Sequence, residues 1–158
     1  MAATTVTLRI GGGEVIHEIE TSLTHMLIHL KSLIEGQMGI ALDRQTLWFN
    51  DEELRNDRTI ESYGFEQHDT IKLVVEPLPG DPKVEVVVRS HIKEERIRVK
   101  ETYTVGDLKR KIERRWGILS SYITLTRMSK EMEDDMPLSA YYVCEGSLVE
   151  LVINREPR

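Results

Sequence analysis

Val6, Leu8 and Ile10 alternate with Thr7 and Arg9, the two-residue period of a strand with one buried face. Gly11-Gly12-Gly13 permits positive φ and predicts a tight turn, after which Val15, His17 and Ile19 resume the alternation as an antiparallel partner. The period then changes. Leu23, Leu27, Leu30 and Ile34 recur three and four apart with Met26 beside them, which predicts an amphipathic helix. Ser22 or Thr24 is placed to cap its start, and Gly36 or Gly39 to end it. Alternation returns at Thr46, with Leu47 and Phe49 on one face and Thr46 and Trp48 on the other. Asn50-Asp51 is a turn signal, a short return strand carries Leu54, and a last strand spans Thr70 to Val75 with Ile71 and Leu73 inward.

The same succession runs again. Sliding the sequence along itself by 78 residues superposes Leu30 on Leu108, Lys31 on Lys109, Gly39 on Gly117, Leu47 on Leu125, Tyr63 on Tyr141 and Leu73 on Leu151. Val84, Val86 and Val88 begin the second copy, and Ile97 and Val99 form its second strand. Val105, Leu108 and Ile112 stripe its helix, with Thr104 as cap and Trp116 extending the stripe; its last strand spans Val149 to Ile153. Two copies at this spacing predict tandem domains rather than a solenoid. The prolines of Glu76-Pro77-Leu78-Pro79-Gly80-Asp81-Pro82 stop the preceding strand and stiffen the connection. The expected boundaries are 1–76 for the first domain, 77–83 for the linker and 84–155 for the second. Each copy reads strand, strand, helix, strand, short strand, strand: an α+β unit with one helix over one sheet.

The block from Thr46 to Phe65, with Leu54-Arg55-Asn56-Asp57-Arg58-Thr59-Ile60 followed by Ser62-Tyr63, closely resembles the middle of ubiquitin. The second copy keeps a weaker likeness through Lys109, Gly117-Ile118, Leu125, Lys130 and Glu133-Asp134. The resemblance implies two tandem β-grasp domains of the ubiquitin family, covering nearly the whole chain. His17 and Glu95 depart from it, standing on the second strand where the family carries apolar residues, which puts the register of that strand in question. Family modifiers react through a C-terminal Gly-Gly. Neither Glu76-Pro77-Leu78-Pro79 nor Asn154-Arg155-Glu156-Pro157-Arg158 offers that pair, so the expectation is a domain pair that is not conjugated; a two-domain modifier is the alternative.

Composition adds limits. The one cysteine, Cys144, excludes an intramolecular disulfide and suits a reducing compartment, so the expected location is cytoplasm or nucleus. No apolar run reaches the length of a membrane span. No His or Asp constellation is placed to activate Cys144, Asp134-Asp135 reads as a turn, and no enzyme activity or cofactor is expected. His25 and His29 have the spacing of two zinc ligands but no third, so no metal is expected. The formal charge of −6 argues against nucleic acid as the main partner. It divides unevenly: residues 1–79 hold 6 Lys/Arg against 13 Asp/Glu, and residues 80–158 hold 15 against 14.

Strand alternation sends Trp48 outward beside Lys72 and Val74, with Thr46 on the same face. The resemblance implies that this sheet face grips ubiquitin-binding partners, with Trp48 in place of the usual isoleucine. The equivalents in the second copy, Thr126, Glu150 and Val152, are more polar. Lys109, Arg110, Lys111, Arg114 and Arg115 form a second candidate, a basic helix face for an acidic partner or RNA. The expected function is a monomeric, non-catalytic interaction module. The resemblance implies proteasome subunits and ubiquitin-binding domains as its partners.

Overall fold

Two five-stranded mixed sheets, each carrying one helix, account for both periods in the computed structural model, which describes residues 4–157. The chain divides into two units, Met1–Pro77 and Leu78–Arg158. In the first, β1 (Thr5–Gly11), β2 (His17–Ser22), α1 (Leu27–Met38), β3 (Gln45–Phe49), β4 (Glu52–Glu53) and β5 (Thr70–Val75) give the sheet order β2-β1-β5-β3-β4. In the second, β6 (Lys83–Arg89), β7 (Glu94–Lys100), α2 (Val105–Trp116), β8 (Ile123–Arg127), β9 (Lys130–Glu131) and β10 (Leu148–Ile153) give β7-β6-β10-β8-β9. The central pairs β1–β5 and β6–β10 are parallel and the other pairs antiparallel. The 78-residue offset places α1 on α2, β3 on β8 and β5 on β10 end to end.

Each unit has its own core. In the first, Leu8, Ile10, Leu47 and Ile71 of the sheet and Leu27, Leu30 and Ile34 of α1 are all fully buried. In the second, Val86, Val88, Leu125 and Val149 of the sheet and Val105, Leu108 and Ile112 of α2 do the same. Removing this apolar area from water, at about 25 cal/mol per Å², is the main force holding each helix on its sheet.

Both β3–β4 and β8–β9 turn through two consecutive residues of positive φ, Asn50 (51°) with Asp51 (62°) and Met128 (50°) with Ser129 (66°). This is the signature of a type I′ hairpin, whose twist matches that of the strands it joins. A tyrosine hydroxyl ties down the segment after each short strand. Tyr63 accepts a hydrogen bond from the Arg55 amide at 2.7 Å, and Tyr141, fully buried, accepts one from the Glu133 amide at 2.7 Å.

Three sequence expectations change. The first helix begins at Leu27, so Leu23 lies in the preceding turn rather than on its stripe. Neither Ser22 nor Thr24 caps it: the N-cap is Met26, without a side-chain bond, while the Leu27 amide donates to the Arg58 carbonyl at 2.8 Å, as the Val105 amide does to Met136 in the second copy. Ser22 Oγ is engaged with Thr24 in the turn. The second strand begins at His17 rather than Val15, because the loop folds back on itself. A Cβ at Gly11 would lie 2.6 Å from the Val15 carbonyl oxygen, and Gly12 stands at φ 134° against the Lys72 side chain. Gly39, at φ 74°, ends α1, and its amide donates to the Glu35 carbonyl.

Candidate functional site

The β3–β5 register pairs Thr46 with Val74 and Trp48 with Lys72, and the β3–β4 register pairs Trp48 with Glu53. The four residues expected on one face therefore share it. Lys72 is exposed, whereas Trp48, Thr46 and Val74 are half-buried. Trp48 is thus less open than strand alternation alone implies. Asp51 joins them: the hairpin's positive-φ turn brings it back so that Trp48, Asp51 and Lys72 line a cavity of about 260 Å³. Sequence reasoning misses Asp51 as a site residue, although the Asn50-Asp51 turn signal was the clue. Gly12 completes the surroundings, since a Cβ there would meet Lys72 Cγ at 2.8 Å.

In the second unit Thr126 pairs with Glu150, and Thr124 with Val152. Val152 is 54% exposed, Glu150 is exposed and Thr126 half-buried. No aromatic ring stands on this face at the position of Trp48.

The basic helix face does not hold together as expected. Lys109 is only 9% exposed, and its Nζ sits 2.6 Å from Asp134 Oδ1. It lies next to Leu108 on the packed side of α2, so it belongs to the domain's structure and not to a solvated cationic surface. Its counterpart Lys31 is buried likewise, and burial pushes its ammonium below the usual lysine range, partly offset by Glu53. Arg110 pairs with Asp107, and Arg115 Nε with Glu95 Oε2 at 2.7 Å. Of the helix residues named from the sequence, Lys111 and Arg114 have no carboxylate partner among the described residues.

The two departures on the second strand keep their register. His17 Nε2 meets Gln37 Oε1 at 2.9 Å, and Glu95 Oε2 accepts bonds from Arg115 Nε at 2.7 Å and Trp116 Nε1 at 3.1 Å. Gln37 and Arg115 are equivalent under the 78-residue offset. Each copy therefore bridges strand and helix at the same place with different chemistry.

Cys144 is buried, its amide donating to Ser147 Oγ at 2.9 Å. The His25 and His29 ring centroids are 4.0 Å apart, but His25 precedes the helix. Among the described residues no three His, Cys, Asp or Glu side chains group as a metal site, and no helix is long and apolar enough to cross a membrane.

The model of the ubiquitin family matches the chain twice, over residues 6–78 and 86–156. Among solved structures, a crystal structure described as ATBAG1 in complex with HSP70 is 29% identical, with a TM-score of 0.44. The match covers 46% of this chain and 41% of that one, so less than half of that chain's length is represented here.

Proposed function

The chain belongs to the ubiquitin family, and from that premise we propose that it is a non-catalytic tandem interaction module serving the ubiquitin–proteasome pathway. Its partner-binding face is the sheet surface of the first domain, formed by Trp48, Lys72, Val74 and Thr46. One observation carries this reading: Trp48 stands between Lys72 and Glu53 on the face away from the helix, over a cavity shared with Asp51. A half-buried tryptophan ringed by polar side chains is the composition of an interface anchor, whose apolar area is desolvated fully only when a partner docks. The proposed partners are proteasome subunits and ubiquitin-binding domains, met in the cytoplasm or nucleus.

The test uses the full chain against purified proteasome and a panel of ubiquitin-binding domains. Trp48→Ala weakens capture by about tenfold or more while the amide spectrum stays dispersed. Thr126→Ala, at the matching position of the second domain, leaves capture unchanged. Equal capture by wild type and Trp48→Ala removes this face from consideration, and no capture by the wild type removes the pathway.

A further inference from the structure

Lys31 of α1, Glu53 of β4 and the following Leu54, Arg55, Asn56 and Asp57 line a cavity of about 510 Å³ in the first domain. Lys31 is only 8% exposed, yet among the described residues no carboxylate stands within ion-pairing distance of it. Glu53 acts on its ammonium at longer range. Arg55, the other cation of the lining, is already matched by Asp57 at 3.2 Å. A buried cation is ordinarily paired, because burial strips away the water that would otherwise solvate it.

The repeat shows which group is missing. At the 78-residue offset Lys31 falls on Lys109 and Asn56 on Asp134. In the second domain the Lys109 ammonium has its carboxylate, Asp134 Oδ1 at 2.6 Å. The segments bearing the two partners are anchored alike, the Arg55 amide on the Tyr63 hydroxyl and the Glu133 amide on that of Tyr141, both at 2.7 Å. Asn56 therefore stands in the place of Asp134 with a neutral amide, which cannot compensate the charge of the lysine.

The two copies also differ in room. The Gly106 amide donates to the Asp134 carbonyl at 3.0 Å, and a Cβ at Gly106 would lie 3.3 Å from that oxygen, tighter than a side chain there accommodates freely. Ile28 occupies the position of Gly106 in the first copy, and among the described residues its amide makes no such bond. The cavity beside Lys109 measures about 290 Å³, against about 510 Å³ beside Lys31. The first domain thus lacks a negative charge and has additional space at the same place.

We propose that the cavity beside Lys31 binds a small organic monocarboxylate, whose carboxylate takes the place that Asp134 fills in the second domain. The ligand accepts hydrogen bonds from the Lys31 ammonium and from the Asn56 side-chain amide. Leu54, buried in the lining, offers apolar surface to its carbon skeleton. Glu53 and Asp57 restrict the ligand to one negative charge, since a dicarboxylate or a phosphate dianion would bring more charge than Lys31 compensates. The cavity lies in the size range of small-molecule sites. It shares no lining residue with the cavity at Trp48, so the inference does not rest on the partner-binding face.

The experiment titrates the isotope-labelled full chain with sodium benzoate and, in parallel, with benzamide and with phosphate at matched ionic strength. Benzoate is expected to shift the Lys31 ε-methylene and Asn56 side-chain amide signals saturably, and to leave the Lys109 signal where it is. Benzamide, of similar shape but uncharged, and phosphate are expected to bind at least about tenfold more weakly. Asn56→Asp supplies the carboxylate from the chain itself, as the second domain does. It is expected to weaken benzoate binding by about tenfold or more while the amide spectrum stays dispersed. Lys31→Met removes the response of Asn56 altogether. Undiminished benzoate affinity in Asn56→Asp, an equal response at Lys109, equal affinity for benzamide or phosphate, or no saturation by about 50 mM benzoate would each overturn the proposal.

Discussion

Single residues show how two copies of one fold tolerate different chemistry. His17 and Glu95 look misplaced in the sequence because the alternation of their strands asks for an apolar side chain there. Each instead reaches the last turn of its helix, where Gln37 or Arg115 answers it. Periodicity in one segment cannot reveal a partner twenty residues away, so the satisfying residue is invisible until the strand and helix are packed. The Arg115 hydrogen bond, followed by that of Trp116 and the charges of Arg115 and Lys93, holds the Glu95 carboxyl below the usual range despite some desolvation. Bonds from Thr104 and Arg110 do the same for Asp107. A carboxylate with a depressed folded-state pKa stabilises the fold above its unfolded value, and the stabilisation is lost as pH falls through the depressed one. The second domain is thus expected to lose stability on acidification below the ordinary carboxylate range. Glu95→Gln flattens that dependence, measurable as urea midpoints at stepped pH. The β8–β9 turn offers an independent check. Met128 holds φ at 50° in a type I′ position that asparagine occupies more readily, as Asn50 does in the first copy. Met128→Asn should raise stability by about 0.5–1 kcal/mol, seen as a higher urea midpoint at unchanged slope.

At the scale of elements, strands are more legible than helix starts. The alternation of Val6, Leu8 and Ile10 or of Ile97 and Val99 is enforced by burial of one face, and those residues are buried where the pattern puts them. The start of α2 is equally readable. Thr104 Oγ1 accepts from the Asp107 amide at 3.1 Å, and the Asp107 carboxylate accepts from the Thr104 amide at 3.0 Å. The start of α1 is not, because Met26 and His29 occupy the corresponding positions and form no capping box; the first amide is bonded across the fold in both helices, Leu27 to the Arg58 carbonyl and Val105 to that of Met136. Lys109 is misjudged for a related reason: charge places it on the polar face, while its position beside Leu108 carries it inward to Asp134. The capping difference predicts opposite responses. Thr104→Ala should destabilise the second domain by about 1 kcal/mol, whereas Met26→Thr combined with His29→Asp should stabilise the first by a similar amount. Thermal denaturation of each variant reads both.

For the whole molecule the question is whether the two cores are separate cooperative units. Every strand pair and both helices close within Met1–Pro77 or Leu78–Arg158, and each unit fully buries its own set of sheet and helix side chains. The segment at the join also sorts itself. Asp81, sequentially in the proline-rich stretch, accepts a hydrogen bond from Thr102 Oγ1 at 2.6 Å and is thereby tied to the second unit. A domain of this size buries only about 60% of the surface its unfolded chain exposes, so each margin is thin, within the roughly 5–15 kcal/mol common to single domains. Residues 1–79 and 78–158, expressed apart, are each expected to give dispersed amide spectra and a single cooperative unfolding transition. Cutting after Asp81 instead of before Leu78 removes the Thr102 contact and should lower the midpoint of the second domain alone. A collapsed spectrum for either half, beside a dispersed one for the full chain, would show that the core of that half does not suffice alone.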